Sequence, residues 1–132
     1  MNFKELGKKI EKTEYWDMPI LDVQTRYFGD EVYIYIEKTE RICWRISFLS
    51  CYKVDYETDA NWRNMDSVGD MRGGQLGYFG QDFSVSQNEK NSNFVDVSID
   101  LSIMTMKIIC KDILVEEVST DEVRFFWQED TK

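Results

Sequence analysis

The stretch RICWRISFLSCYKVDY, residues 41–56, is the longest run in the chain in which apolar and polar residues alternate. Successive side chains of an extended chain point to opposite faces, so Ile42, Trp44, Ile46 and Phe48 share one side and Cys43, Arg45, Ser47 and Leu49 the other. This is the pattern of a half-buried antiparallel strand. The even-numbered phase fails at Ser50, and apolar residues return as Leu49 and Cys51. A straight strand of this length would span about 50 Å at roughly 3.3 Å per residue, too long for a domain with a radius of gyration of about 14 Å. The sequence therefore predicts a bend or bulge near Leu49 and Ser50.

Working outward, residues 20–38 read ILDVQTRYFGDEVYIYIEK, two alternating runs separated by Gly29-Asp30. Glycine in the first central position suits a two-residue type II′ turn. Such a turn sets Phe28 opposite Glu31, Tyr27 opposite Val32, Thr25 opposite Ile34 and Val23 opposite Ile36, and the apolar sides coincide. A two-residue Thr39-Glu40 turn into the next strand would pair Ile36 with Cys43 and bury Arg45. A connection of odd length instead places Ile36 beside Ile42 or Trp44, so that three strands share one core face. The opposite face carries Tyr33, Tyr35 and Phe28 beside Gln24, Arg26 and Arg45. So aromatic a face calls either for a second layer of the same chain or for a partner, since Tyr and Arg are enriched at interface hot spots.

On either side of this unit the signals are shorter. Phe3, Leu6 and Ile10 recur at helical spacing behind Asn2, a capping residue, and predict a short amphipathic helix that Gly7 weakens. The only proline, Pro19, stands just ahead of the first strand. Residues 57–77 lack strand alternation and hold either a short helix carrying Trp62 and Met65 or a functional loop. Five of the seven glycines lie between Gly69 and Gly80, yet no Gly-Lys-Ser/Thr follows, which excludes a P-loop. Phe83 and Val85, then Val95, Val97, Ile99 and Leu101, then residues 104–115, restore the strand pattern, and residues 122–127 are expected as an edge strand. The reading is one domain, 1–132, mainly β with α+β at the margin. Its expected form is an antiparallel meander making a sandwich or strongly curved sheet of about seven strands, with a short N-terminal helix.

Charge and missing residue types narrow the function. Sixteen basic against 25 acidic residues give −9, and the only basic excess lies in the first twelve residues, where four lysines meet two glutamates. Nucleic acid and anionic membranes both need Lys or Arg clusters that the rest of the chain lacks, whereas a basic protein partner is attracted. No stretch has the length of a signal peptide core or a membrane span, so a cytoplasmic location is expected. The chain has no histidine, which removes Ser-His-Asp and Cys-His machinery and His-ligated zinc. Cys43, Cys51 and Cys110 cannot complete a Cys₄ site and are expected as buried reduced thiols. No cofactor or metal is expected. These absences weigh against an enzyme, which would have to use carboxylates, Lys, Tyr or a lone thiolate.

The motifs RYFGDEVYIYIE, Trp44-x-Ile46-x-Phe48 and IICKDILVEEV resemble those of small acidic strand-rich bacterial proteins, some of which are immunity proteins of polymorphic toxins. The resemblance implies a non-catalytic, toxin-neutralising binding protein. The chain itself offers Asp55, Glu57, Asp59, Trp62, Asp66 and Asp70 as a partner-binding set, where acid concentrates around the central loop. One alternative is a small-ligand module with residues 69–80 as a glycine-rich lid. Another is a carboxylate hydrolase using Asp96 and Asp100, which share one strand face.

Overall fold

The computed structural model of the chain describes residues 2–59 and 77–125. Among them the alternating runs become eight strands: β1 Ile20–Arg26, β2 Glu31–Glu37, β3 Ile42–Leu49, β4 Lys53–Thr58, β5 Asp82–Gln87, β6 Val95–Asp100, β7 Met104–Cys110 and β8 Asp112–Ser119. They form two four-stranded antiparallel sheets, β1-β2-β3-β8 (sheet one) and β4-β7-β6-β5 (sheet two). Helix α1, Phe3–Glu11, packs against β5 of one sheet and β8 of the other. The mainly β sandwich with a short N-terminal helix is thus what forms. The strand number exceeds seven because residues 104–119 break at Lys111 into two strands, and β7 and β8 return beside β4 and β3. The strand expected at 122–127 is absent over its described part: Thr120–Glu122 is a 3-10 turn, followed by irregular chain to Phe125.

The bend expected near Ser50 is the corner that joins the sheets. β3 and β4 are one long run that changes sheet where Ser50 adopts φ 54°, and its partner run changes sheet at Lys111. Hydrogen bonding continues around the turn: Lys111 N–H donates to Leu49 O (3.0 Å), Tyr52 N–H to Ile109 O (3.0 Å) and Cys51 N–H to Asp30 O (2.8 Å). A strand that switches sheets at a bend is a standard way to turn a sandwich corner without stranding polar backbone.

The β1–β2 connection differs from expectation. Arg26 lies opposite Glu31, Thr25 opposite Val32 and Val23 opposite Ile34, so residues 27–30 form a four-residue loop and the register sits two residues away from that of a two-residue turn. Because side chains alternate with a period of two, a slip of two leaves residues 22–26 on their expected faces. Tyr27 (φ 56°), Phe28 (φ 60°) and Gly29 (φ 101°) all take left-handed conformations there. From β2 to β3 the odd-length connection is realised, with Ile36 opposite Trp44, Ile34 opposite Ile46 and Val32 opposite Phe48.

The inner faces meet in one core. Val32, Ile34, Ile36, Ile46, Phe48 and Ile113 come from sheet one; Phe83, Val95, Val97, Ile99, Met106 and Ile108 oppose them from sheet two. Leu6 and Ile10 of α1 are fully buried over the same core. Asn2 caps the helix, its Oδ1 accepting from Lys4 N–H at 2.9 Å. At Gly7 an added Cβ would stand 4.0 Å from Val85 Cβ, an ordinary contact. Gly7→Ala is therefore expected to stabilise the chain by about 0.5–1 kcal/mol, since a helical glycine loses the most backbone freedom on folding. A raised urea midpoint with unchanged slope is the check; a lowered midpoint would show that the helix lies closer to β5.

Sheet one also buries part of its outer face. Ile20 pairs Ile36 but Asp22 pairs Tyr35, so Leu21 is the extra residue of a bulge and turns outward. Leu21, Tyr35, Cys43 and Phe125 make a second buried cluster, the Phe125 ring edge-on to Tyr35 at 5.2 Å. The second layer expected over this face is therefore partial: the chain's own segment near Phe125 covers Tyr35. Tyr33 is half-buried, and Phe28 lies at the hairpin tip, wholly exposed.

Candidate partner-binding face

The outer face of sheet two is built by alternation and register alone. Odd-numbered residues of β4 and β7 and even-numbered residues of β5 and β6 point away from the core. One row runs Asp55, Lys107, Ser98, Ser84; the next runs Glu57, Thr105, Asp100, Asp82. Four carboxylates, Asp55, Glu57, Asp82 and Asp100, thus surround one ammonium, Lys107, in a shallow depression of about 430 Å³. All are exposed except the half-buried Asp100. Lys53 approaches Asp55 at 3.6 Å, but an ion pair between two exposed side chains contributes little. Asp82 Oδ2 also accepts from Ser84 Oγ at 2.9 Å, and four carboxylates against Lys107 and Lys53 leave the face with an excess of negative charge.

Of the residues singled out in the sequence, Asp55 and Glu57 lie on this face and Asp59 continues from its edge strand, its N–H donating to Ile103 O at 2.7 Å. Trp62, Asp66 and Asp70 lie outside the described residues, as do Gly69, Gly73 and Gly74 of the expected lid. At the lid's other end Gly80 is not free: its backbone presses on the Tyr15 carbonyl, where an added Cβ would stand only 2.4 Å from the oxygen. Asp82 and Asp100 were missing from the set because only the strand register brings β5 and β6 beside β4's partner.

The carboxylate pair considered for hydrolysis is occupied in turns. Asp96 Oδ1 accepts from Asn88 Nδ2 (2.8 Å), whose own Oδ1 takes the N–H groups of Lys90 (3.0 Å) and Asn91 (2.8 Å). Asp100 Oδ1 accepts from Ser102 N–H at 2.9 Å. The Cys43 thiol suits burial rather than nucleophilic attack. Burial pushes Cys43 up to about 11, which keeps it protonated at neutral pH. Cys51 and Cys110 lie buried beside each other at the sheet corner, both unbridged. Among the described residues no group of His, Cys, Asp and Glu is placed to hold a metal ion, and no helix is long and apolar enough to cross a membrane.

A second uncovered area lies on sheet one. Arg26 and Arg45 flank the Tyr33 ring with guanidinium carbons 5.7 and 6.0 Å from its centre, and Arg45 bonds Glu116 at 3.1 Å. The Tyr33 hydroxyl bonds the Glu31 carboxylate, which with burial pushes the phenol up to about 12. Here Arg45 is paired with Glu116 within the chain.

No curated protein matches the chain. The crystal structure of an uncharacterized protein from Neisseria gonorrhoeae superimposes with a TM-score of 0.51 over 77% of this chain and 92% of that one, at 13% identity, and so shares the fold. The family model "Immunity protein PIM7" matches residues 2–117, which takes in α1, seven whole strands and most of β8. The chain belongs to the PIM7 family of immunity proteins.

Proposed function

We propose that this chain neutralises a protein toxin by binding it, without catalysis, and that the toxin presents a basic surface to the outer face of sheet two. The observation that carries the reading is the grouping of Asp55, Glu57, Asp82 and Asp100 around Lys107 on a sheet face that no other described element covers. Asp59 extends the surface, and we propose Trp62, Asp66 and Asp70 as further contacts of the toxin. A field of this kind acts chiefly on encounter: complementary charge raises association rates by tens to thousands, and salt weakens it over a screening length of about 8 Å at physiological ionic strength.

The test begins with capture of the partner from native cells at low salt and ends with a growth assay. Sensitive cells making the captured protein should die, and co-expression of the chain should rescue them. The double variant Asp55→Lys, Glu57→Lys is expected to bind at least about tenfold more slowly, to rescue poorly, and to unfold within about 0.5 kcal/mol of the parent, because both side chains are exposed. Rescue undiminished in the double variant would remove the acidic face from the account. A captured protein without toxicity would remove the inhibitor.

A further inference from the structure

The most strained described segment of the chain is also its most exposed apolar one. Tyr27 and Phe28 occupy the left-handed region in succession, at φ 56° and 60°, a conformation that crowds the Cβ of any residue but glycine. The Phe28 ring is 111% exposed, as open as in an isolated residue, and Tyr27 is 62% exposed. Among the described residues Phe28 forms no ring contact, so the free fold gains nothing visible from it. Asparagine or glycine would make the same turn at lower cost.

Below this tip the two sheets turn their corner. Tyr27, Asp30, Glu31, Tyr52, Phe94 and Lys111 line an open cleft of about 490 Å³ there. Its aromatic part is built: Tyr52 stands edge-on to Phe94 at 4.8 Å, and Lys111 Nζ lies 5.5 Å from the Phe94 ring centre. Tyr52 is followed directly by β4, which carries Asp55 and Glu57. From Tyr52 to Glu57 an extended chain covers about 17 Å, so the cleft and the acidic face fit within one interface of standard size, roughly 800 Å² per partner.

We propose that the hairpin tip is the apolar anchor of the toxin interface: Phe28 enters an apolar pocket of the toxin, Tyr27 and Tyr52 pack on its rim, and Asp30 meets basic groups around that pocket. The inference rests on the toxin-binding reading and adds to it a second kind of contact. Strain held at an exposed aromatic is retained where the ring serves a partner, and aromatic side chains in desolvated pockets dominate binding energy. The charge of the tip matches that of the acidic face, since Asp30 stands beside the anchor as Asp55 and Glu57 stand along β4.

The test compares Phe28→Gly and Phe28→Asn with Asp55→Lys, Glu57→Lys, using toxin purified from its complex with the full chain. Both Phe28 variants are expected to raise the Tm, by about 3 °C for relief of the backbone strain, while weakening toxin binding at least about 30-fold. The loss should be the same at low and high salt, whereas that of the charge variant should shrink as salt rises. Toxin binding unchanged in Phe28→Gly, with the charge variant impaired, overturns the anchor alone. Recovery of no toxic protein in complex with the full chain, at any salt concentration, overturns the toxin reading and the anchor with it. A Tm lowered in both variants assigns the ring to the fold and overturns the proposal. So does a parent dimer in sedimentation that Phe28→Gly dissolves, which would make a second copy of this chain the occupant.

Discussion

Replacing Phe48 by alanine is expected to cost about 3–5 kcal/mol of unfolding free energy, the usual range for removing a wholly buried aromatic ring. Phe48 has no exposed surface, lies between Val32 and Ile113 in sheet one and is packed into the core that faces sheet two. The residue also stands two positions before the corner at Ser50, and its carbonyl accepts from Cys51 Sγ at 3.3 Å. A void left there removes contacts from both sheets, because neither can collapse without moving the bend that joins them. Against a total stability of 5–15 kcal/mol typical of natural domains, such a loss is a large fraction. Ile42→Ala is the internal control. The same strand carries Ile42 at its outer end, 37% exposed, and its loss should cost under about 1 kcal/mol. Urea unfolding of the two variants checks the contrast, and equal costs would mean that the inner face of β3 is assigned wrongly.

The second large effect concerns a glycine at an ordinary φ, where the obstacle is a neighbour. A Cβ on Gly80 would stand 2.4 Å from the Tyr15 carbonyl oxygen and 3.2 Å from both the carbonyl carbon and Tyr15 Cβ. The atoms met are mainly backbone, and that backbone is pinned. Asp17 N–H donates to Gly80 O (2.8 Å), Gly80 N–H to Met18 O (2.9 Å) and Met18 N–H to Tyr15 O (3.0 Å). Tyr15 is itself buried, its hydroxyl accepting from Phe83 N–H at 3.2 Å and its ring edge-on to Phe83 at 4.7 Å. Gly80→Ala must therefore push apart the segment after α1 and the chain leading into β5. The expected cost is about 3 kcal/mol, the upper part of the range for inserting atoms into close packing. Gly7→Ala, the same chemical change in an open position, should have the opposite sign. A Gly80→Ala chain as stable as the parent would show that residues 15–18 are not held against residue 80.

These contacts mark where the sequence was legible. Period-two alternation assigned Ile34, Trp44, Ile46 and Phe48 to one face, and the slip of phase at Ser50 marked the corner, because both are local consequences of strand geometry. The β1–β2 loop was misjudged by two residues. Glycine at 29 fits several turns, and the left-handed conformations of Tyr27 and Phe28 contradict the preference of bulky residues. Leu21 escaped notice because the bulge shifts the phase of the alternation, so that Ile20 faces the core and Leu21 turns outward. The cover over Tyr35 was anticipated as a full layer; among the described residues the segment carrying Val123 and Phe125, about ninety residues away along the chain, supplies part of it. The same distance problem hid half of the acidic face. Asp55 and Glu57 stood out as neighbours in sequence, but Asp82 and Asp100 join them only through the ladders β5-β6-β7-β4, and cross-strand pairing between distant segments leaves no local signature.

The measurement that bears most directly on the central claim is the affinity of the purified chain for its toxin at two ionic strengths. If an acidic sheet face draws in a basic partner, the affinity should fall at least about tenfold between roughly 0.05 M and 0.5 M salt. Asp55→Lys, Glu57→Lys should flatten that dependence. An affinity that stays constant across the same range in the parent chain would contradict the account.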